Sequence, residues 1–452
     1  MIAEPAHPMT ARPLSLDEDS LYTCMRCGFC LPACPTYRIR QVESAAPRGR
    51  IGLMKAVYEG KLDILQIADH LDLCLGCRAC EVACPAGVPY GHLLEQGRAL
   101  VAAARPLPPL VRFAYNRILG TPGGIRLANW ALWLYQVSGL RGLVRRLHLL
   151  ERLATPGLAS MEQAVPPVPS PLRRARRPKI YRPLSGRRRL RVAFFTGCIS
   201  DIVFPETNDN AMKVLAAAGC EVVVVPGQGC CGAVHSHAGE HETALRQAKR
   251  NIAAFEKVTY DYIVTATGGC GAALKEYGRM LAGDPEWSER ARRFSAACRD
   301  FSELLDSLGT DTLPRRPLHG TVTYQDSCHL RNGQKVTAQS RKLLQAIPGI
   351  RYVELPESDR CCGAAGTYAI FQTEMSDRIL DEKIEKLKAT GADTLVVANA
   401  PCQLEMIEGI QRAGLANRIR VRHIADVLAE ALAPNAGQPE TDRSREVNMR
   451  TK

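Results

Sequence analysis

The chain has 452 residues, 46% of them hydrophobic, with a net charge of +13 and 18 cysteines. That length predicts two to four domains, and the apolar content allows a sizeable core. A disulfide framework suits small secreted chains. The start MIAEPAHPMTARPLSLDED has no basic residues followed by an apolar stretch and no twin arginine. A cytoplasmic protein is therefore expected, whose cysteines serve metal or redox chemistry.

Residues 1 to 20 read as a flexible lead-in. Residues 21 to 100 carry Cys24-x-x-Cys27-x-x-Cys30-x-x-x-Cys34-Pro35 and then Cys74-x-x-Cys77-x-x-Cys80-x-x-x-Cys84-Pro85. This is the bacterial ferredoxin spacing written twice. Three thiolates on one tight loop hold three corners of a cubane, and the fourth cysteine reaches the other cluster. The expected ligands are Cys24, Cys27, Cys30 and Cys84 for one 4Fe–4S cluster (cluster A). Cys34, Cys74, Cys77 and Cys80 are those of a second (cluster B). A zinc site would need paired Cys/His groups of four, which these runs do not supply. Between the runs Ile51, Met54, Val57 and Tyr58, then Leu62, Leu65 and Ala68, recur at helical spacing around Gly60. They predict short helices packed against the clusters.

Residues 101 to 189 form a basic helical connector and linker. From Arg105 to Arg191 stand 18 Lys/Arg against Glu151 and Glu162, an excess of +16. Such a stretch fits nucleic acid, an anionic membrane surface, an acidic partner or simply a solvated linker. Its most apolar part, Ala128 to Leu140, has 13 residues and includes Asn129, Gln136 and Ser138. A bilayer span takes about 20 apolar residues. With Trp130, Trp133 and Tyr135 the stretch would either lie in a membrane interface or cover the clusters as a helix pair, and the sequence leaves both open. Pro166 to Pro183 predicts an exposed linker.

From Leu190 short apolar runs alternate with helical segments: RVAFFTGC, EVVVVPG, YIVTATGGC, TVTYQDSC, RYVELPE and TLVVANAPC. These are strands of parallel α/β sheets. They repeat. Cys198 matches Cys328, Cys230-Cys231-Gly232 matches Cys361-Cys362-Gly363, and Cys270 matches Cys402. Each cysteine falls at the C-terminal end of a strand, the edge where open α/β sheets bind ligands. Two units are expected, 190–318 and 319–433, packed as a pseudo-dimer, with a disordered tail at 434–452. The fold class is thus α+β multidomain: a helical two-cluster ferredoxin-like domain followed by two α/β units with parallel sheets. Cys220 and Cys298 fall outside the pattern and are expected to be buried bystanders.

The second cysteine set resembles the "CCG" domain, which occurs twice in one of the polypeptides of heterodisulfide reductase. That family's full motif ends in C-x-x-C, whereas Thr267 and Asn399 stand here in place of the first cysteine of each final pair. Each unit keeps four thiols. Cys198, Cys230, Cys231 and Cys270 are a candidate third site, and Cys328, Cys361, Cys362 and Cys402 a candidate fourth. With PGQGCCGA, GGCGAALKEY, YQDSCHLRNGQ and ESDRCCGAAGTY, the chain resembles the iron–sulfur subunit of glycolate oxidase over nearly its whole length. Iron–sulfur subunits of glycerol-3-phosphate dehydrogenase and of lactate utilisation share the layout more loosely.

No G-x-G-x-x-G follows a strand and no P-loop is present, so no flavin, NAD or ATP site is expected on this chain. Oxidising a 2-hydroxy acid needs a two-electron acceptor, usually a flavin. The resemblance implies an electron-transfer subunit, with FAD and glycolate on partner subunits and a quinone as a further acceptor at the inner membrane surface. A thiol/disulfide reductase is the alternative of a different class. Nucleic acid is not the expected partner, since no recognition fold accompanies the basic stretch. His235, His237 and His241 follow Cys231 and read as ligands, a proton relay or a polar helix start. His329 is placed to hydrogen-bond a sulfur.

Overall fold

The computed structural model describes residues 16–153, 155–309, 313 and 315–433. The expected tail and residues 1–15 of the expected lead-in lie outside the described residues. The N-terminal part is helical, from Glu18–Tyr22 to Tyr90–Ala104. Pro35 and Pro47 open the helices Pro35–Arg40 and Pro47–Tyr58. A first-turn proline forfeits no helical hydrogen bond, so Pro35 starts a helix directly after Cys34. Short helices lie between the runs, Pro47–Tyr58, the 3-10 turn Ile64–Ile67 and Ala68–Asp72, but Tyr58 and Leu65 of the predicted stripe are exposed. Ile51, Met54, Ile67 and Leu71 pack in one core with Cys74 and Cys80, and Leu16 and Leu21 join it.

The connector folds as helices Pro109–Phe113, Pro122–Val137, Leu140–Arg146 and Pro156–Ala164, with a π-helical turn at Ala114–Leu119. Helix Pro122–Val137 has two apolar faces. Ile125 and Leu132 pack inward against Cys198 and Cys230. Leu127, Trp130, Leu134 and Val137 recur at helical spacing on the opposite side and are exposed. Much of Pro166–Pro183 is exposed, as expected of a linker, but part of it is tied to the first α/β unit. Arg177 is buried between Asp201 and Asp209, at 2.6 and 2.5 Å. Ile180–Tyr181 forms an edge strand, β1. Tertiary ion pairing, invisible to local composition, ties this segment down.

The first sheet has the order β1-β3-β2-β4-β5, with β2 Leu190–Phe194, β3 Cys220–Val224, β4 Tyr262–Thr265 and β5 Cys298–Asp300. All pairs are parallel except β1 with β3. The second repeats it without the edge strand: β7-β6-β8-β9, with β6 Gly320–Tyr324, β7 Ile350–Tyr352, β8 Thr394–Val397 and β9 Arg420–His423. In each, the chain leaves the central strand to one side and returns on the other. That reversal opens a crevice at the C-terminal strand ends. Phe194, Val222 and Val264 share one apolar core with Val322, Tyr324 and Val396. Helix Pro205–Ala217 packs on Ile424–Glu430, and helix Gln339–Gln345 on Phe301–Leu308, a reciprocal exchange between the units. At the strand ends Gly268 N–H donates to Ala398 O at 3.0 Å. Cys220 and Cys298 lie in the apolar cores, away from the thiol edge.

Candidate metal centres

The two ferredoxin runs have matching backbones. The residues flanking each middle cysteine, Arg26 and Gly28 around Cys27 and Gly76 and Arg78 around Cys77, all have positive φ, from 56° to 92°. Glycine meets this conformation freely; arginine adopts it only under constraint from its surroundings. The loops thereby curl. Cys24, Cys27, Cys30 and Cys84 line one pocket, which Cys80 also borders. Cys34 comes close enough to Cys77 and Cys80 to disfavour their thiolates. Cys84 thus lines the first run's pocket, and Cys34 stands near Cys77 and Cys80 of the second run while also facing Cys30.

Burial, then neighbouring thiols, pushes Cys77 and Cys80 well above the ordinary thiol range. Burial acts on Cys74 too, but Arg50, Arg98, the Gly76 N–H and the Tyr90 hydroxyl outweigh it and hold that thiol low. Gly76 N–H and Tyr90 Oη donate to Cys74 Sγ at 3.4 and 3.5 Å. Arg50 is 0% exposed. Its guanidinium donates to His70 O at 2.7 Å and Thr36 Oγ1 at 3.0 Å, while Nη1 has no partner. A buried cation without a carboxylate is costly unless an anion lies beside it. A metal core would let all four thiols ionise and supply that anion. The donor set and the orphaned Nη1 fit an anionic iron–sulfur cluster here.

In the first CCG unit Cys198 and Cys230 sulfurs stand 3.5 Å apart. Cys231 stands beside Cys230 and Cys270. In the second unit Cys328, Cys361, Cys362 and Cys402 form the same chain of neighbours. The glycine of each Cys-Cys-Gly has φ of +86° or +104°. A Cβ at Gly232 would meet Ala244 backbone at 3.3 Å, and one at Gly363 Ser376 O at 3.0 Å, so both conformation and space demand glycine. Asn399, at the position of the missing cysteine, donates from Nδ2 to Cys402 Sγ at 3.3 Å. Its Oδ1 accepts from Gly269 N–H of the other unit at 3.1 Å.

The units differ in charge. Lys383 is 2% exposed, donates to Glu357 O at 2.6 Å and faces Cys361 and Cys362. Burial lowers its amine to about 8. Burial raises Glu405 to about 7, against the Ser376 hydroxyl at 2.7 Å. Lys383 is a second buried cation beside thiols, and it fits an anionic group on the second unit. The sets are also contiguous: Cys77 lies in one apolar cluster with Cys361 and Cys328.

The three histidines after Cys231 part company. His235 pairs with Tyr115 O at 2.8 Å, while His237 meets His329 edge-on at 5.4 Å. Burial pushes His237 down to about 4 and His329 to about 3. His329 Nδ1 sits 3.6 Å from Cys328 Sγ. Among the described residues no three His, Cys, Asp or Glu side chains close on a single metal ion.

Comparison with known families meets this geometry domain by domain. Residues 20–88 match the 4Fe-4S dicluster domain, and 192–275 and 322–407 each match the cysteine-rich domain. Residues 108–165 match the linker region of the glycolate oxidase iron-sulfur subunit. A probable glycolate oxidase iron-sulfur subunit of Bacillus subtilis is 44% identical over 425 residues, 92% of this chain and 95% of the relative. The chain belongs to the glycolate oxidase iron–sulfur subunit family. The Escherichia coli glycolate oxidase iron-sulfur subunit is 34% identical over 427 residues, covering 92% and 96%. Lactate utilization protein A of Geobacillus kaustophilus is 34% identical over 240 residues, 53% of this chain and 98% of its own length. The chain is thus an iron–sulfur protein with a 4Fe-4S dicluster domain and two cysteine-rich repeats.

Arg50 and Lys383 belong to no cysteine motif, and only the fold brings them to the thiols. A signal for them existed. Arg50 precedes Met54 by four on the buried face of its helix, and Lys383 lies between Leu380 and Leu387 on another. A charge on an apolar stripe marks a buried partner.

Proposed function

We propose that the chain is the electron-transfer subunit of a flavin-dependent glycolate dehydrogenase complex, which converts glycolate to glyoxylate. It takes electrons singly from an FAD-binding partner and delivers them towards a quinone. The observation that carries this reading is the contact of Cys77 with Cys328 and Cys361, which joins the ferredoxin thiols to the CCG thiols. When bound, iron–sulfur clusters supply one-electron donors and acceptors at potentials set by their surroundings. Cys24, Cys27, Cys30 and Cys84 would hold cluster A, and Cys34, Cys74, Cys77 and Cys80 cluster B. The four thiols of each CCG unit would hold further clusters.

The remaining residues prepare these places. Arg50 and Lys383 offset negative charge in dry surroundings, and Tyr90, Gly76 and Asn399 donate to sulfur. Tyr368 closes over Cys77 and Leu75, its hydroxyl donating to Leu73 O at 3.0 Å, and keeps water out. On the connector Leu127, Trp130, Leu134, Val137, Leu140 and Leu143 are exposed. No acidic residue falls between positions 108 and 150, while Arg117, Arg126 and Arg146 stand among them. Exposed apolar residues with arginines and no acid fit the surface of an anionic membrane. No helix of the described residues is long and apolar enough to cross one.

Anaerobic purification from the native cell tests the reading. The preparation is assayed with glycolate, L-lactate, D-lactate and glycerol-3-phosphate against ferricyanide. Co-purifying flavoprotein and glycolate activity are expected. Activity with another of the four substrates would move the chain to a different complex, and an iron-loaded chain without flavoprotein partners would sink the proposal.

A further inference from the structure

A cleft of about 370 Å³ opens where the N-terminal domain, the connector and both CCG units meet. It reaches Cys74, a thiol of the second ferredoxin run. The wall is mainly apolar, with Leu75, Val101 and Val111 on it. A volume of some 300–1,000 Å³ with apolar walls and a few converging polar groups is what small-molecule sites look like.

The polar groups come from separate elements. His237, from the first CCG unit, touches His329, and among the described residues its ring nitrogens take no hydrogen bond. Tyr115 of the connector and Thr367 of the second unit share a hydroxyl–hydroxyl bond of 2.8 Å at the wall. Arg98, Arg105 and Asp72 also line the cleft, but the Arg98 guanidinium already donates to His237 O, Leu71 O and Cys74 O, and Arg105 is paired with Asp72 at 3.2 Å. A small carboxylate would lose its hydration here without gaining a free cation, so the occupant is neutral. A flat apolar ring bearing carbonyl oxygens meets the His237 ring and the Tyr115–Thr367 pair, with Leu75, Val101, Leu107 and Val111 supplying the apolar wall. The cleft is bordered by connector residues Leu107 and Val111 and by Phe371, which is exposed. Leu110 and Phe113 on the same connector helix, outside the cleft lining, are exposed as well.

We infer that this cleft binds a lipid-soluble quinone against the Cys74 wall of the cluster B pocket. The inference rests on the proposed role in delivering electrons to a membrane acceptor, and it adds where on this chain that acceptor sits. Reduction of the quinone to quinol takes two electrons and two protons. Oxidation of one 2-hydroxy acid to its 2-oxo acid releases the same number of each, so the exchange balances.

The test uses the intact complex and decylubiquinone, a short-tailed quinone. One saturable equivalent per chain is expected by equilibrium dialysis. Val111→Trp fills the cleft from the connector side, outside every cysteine run. It is expected to weaken that binding and to lower the ratio of decylubiquinone to ferricyanide reduction by about tenfold or more. A photoreactive azidoquinone on the unmodified protein provides a readout that no folding defect disturbs. Label on peptides spanning 101–115 or 365–372 supports the site. An unchanged ratio in Val111→Trp, or label confined elsewhere, overturns it. Glycolate–ferricyanide activity without any quinone binding would discard the cleft and leave the electron-transfer role standing. A complex inert to glycolate whose chain still takes the label would do the reverse.

Discussion

Asn399 donates to Cys402 Sγ at 3.3 Å from the position where a fuller motif would carry another cysteine. A donor to a cluster sulfur stabilises the reduced, more negative state and raises the potential. Asn399→Ala is therefore expected to shift one redox centre to lower potential with little loss of iron. Asn399→Cys removes the donor and adds a fifth thiol to that set. A titration followed by electron paramagnetic resonance separates the two, and identical potentials in wild type and Asn399→Ala would rule the role out.

The proposed crossing of ligands between the two runs gives a sharp expectation for Cys84→Ser. Cys84 lines the pocket of Cys24, Cys27 and Cys30, which Cys80 of its own run also borders. The substitution should disturb cluster A first. Spectra that lose only the cluster of Cys74, Cys77 and Cys80 would reverse the assignment.

Arg50 has no carboxylate partner, so its role depends on the charge beside it. Arg50→Met keeps the bulk and removes the cation. Cluster B is expected to become labile or to drop in potential, because its negative charge loses its buried counterion. Arg50→Lys should recover part of the effect. Iron content and potentials matching the wild type in Arg50→Met would show that the guanidinium serves packing alone.

Glu405 predicts a pH dependence. Burial raises its carboxyl from an ordinary 4.5 to about 7. The folded protein then holds a proton that the unfolded chain releases, so this contribution is present in full below pH 4.5 and is lost as pH rises to 7. Over that window it amounts to about 3 kcal/mol. Glu405→Gln should remove the component, leaving the variant relatively more stable than wild type at pH 8 than at pH 5. Parallel unfolding curves for the two proteins across that range would refute it.

The connector's exposed stripe predicts binding to vesicles containing phosphatidylglycerol and weaker binding to pure phosphatidylcholine. Leu127 is 67% exposed, Leu134 50% and Leu143 51%. Replacing Leu134 or Leu143 by Glu should each weaken sedimentation with anionic vesicles about tenfold or more, from the lost apolar transfer alone. Raising salt should weaken it further. Equal binding of wild type and both single variants would direct attention to a protein partner for this face.

The parts legible in the sequence were those with a spacing or a period. The cysteine runs announced themselves, and the Val- and Ile-rich strands placed Cys198, Cys231, Cys362 and Cys402 on sheet edges because a parallel strand buried on both faces reads as a continuous apolar run. The connector resisted for a definite reason. Helix Pro122–Val137 carries apolar residues on both sides, and only the fold decides that Ile125 faces Cys198 while Leu127 faces outward. Arg177 resisted as well, since its partners Asp201 and Asp209 lie more than twenty residues away. Charges in a basic stretch default to solvent in any local reading, and long-range pairing overrides that default.

The closure of the cluster B pocket by Tyr368 and Cys361 has a consequence for how the protein is made. The thiols of that pocket leave the ribosome nearly three hundred residues before the side chains that cover them. At ordinary synthesis rates this interval is on the order of tens of seconds. During it the nascent N-terminal domain stands open to iron donors and equally to oxygen. Metal delivery and the folding of the second repeat are therefore ordered in time, and a chain truncated before Tyr368 would leave the thiols of that pocket uncovered.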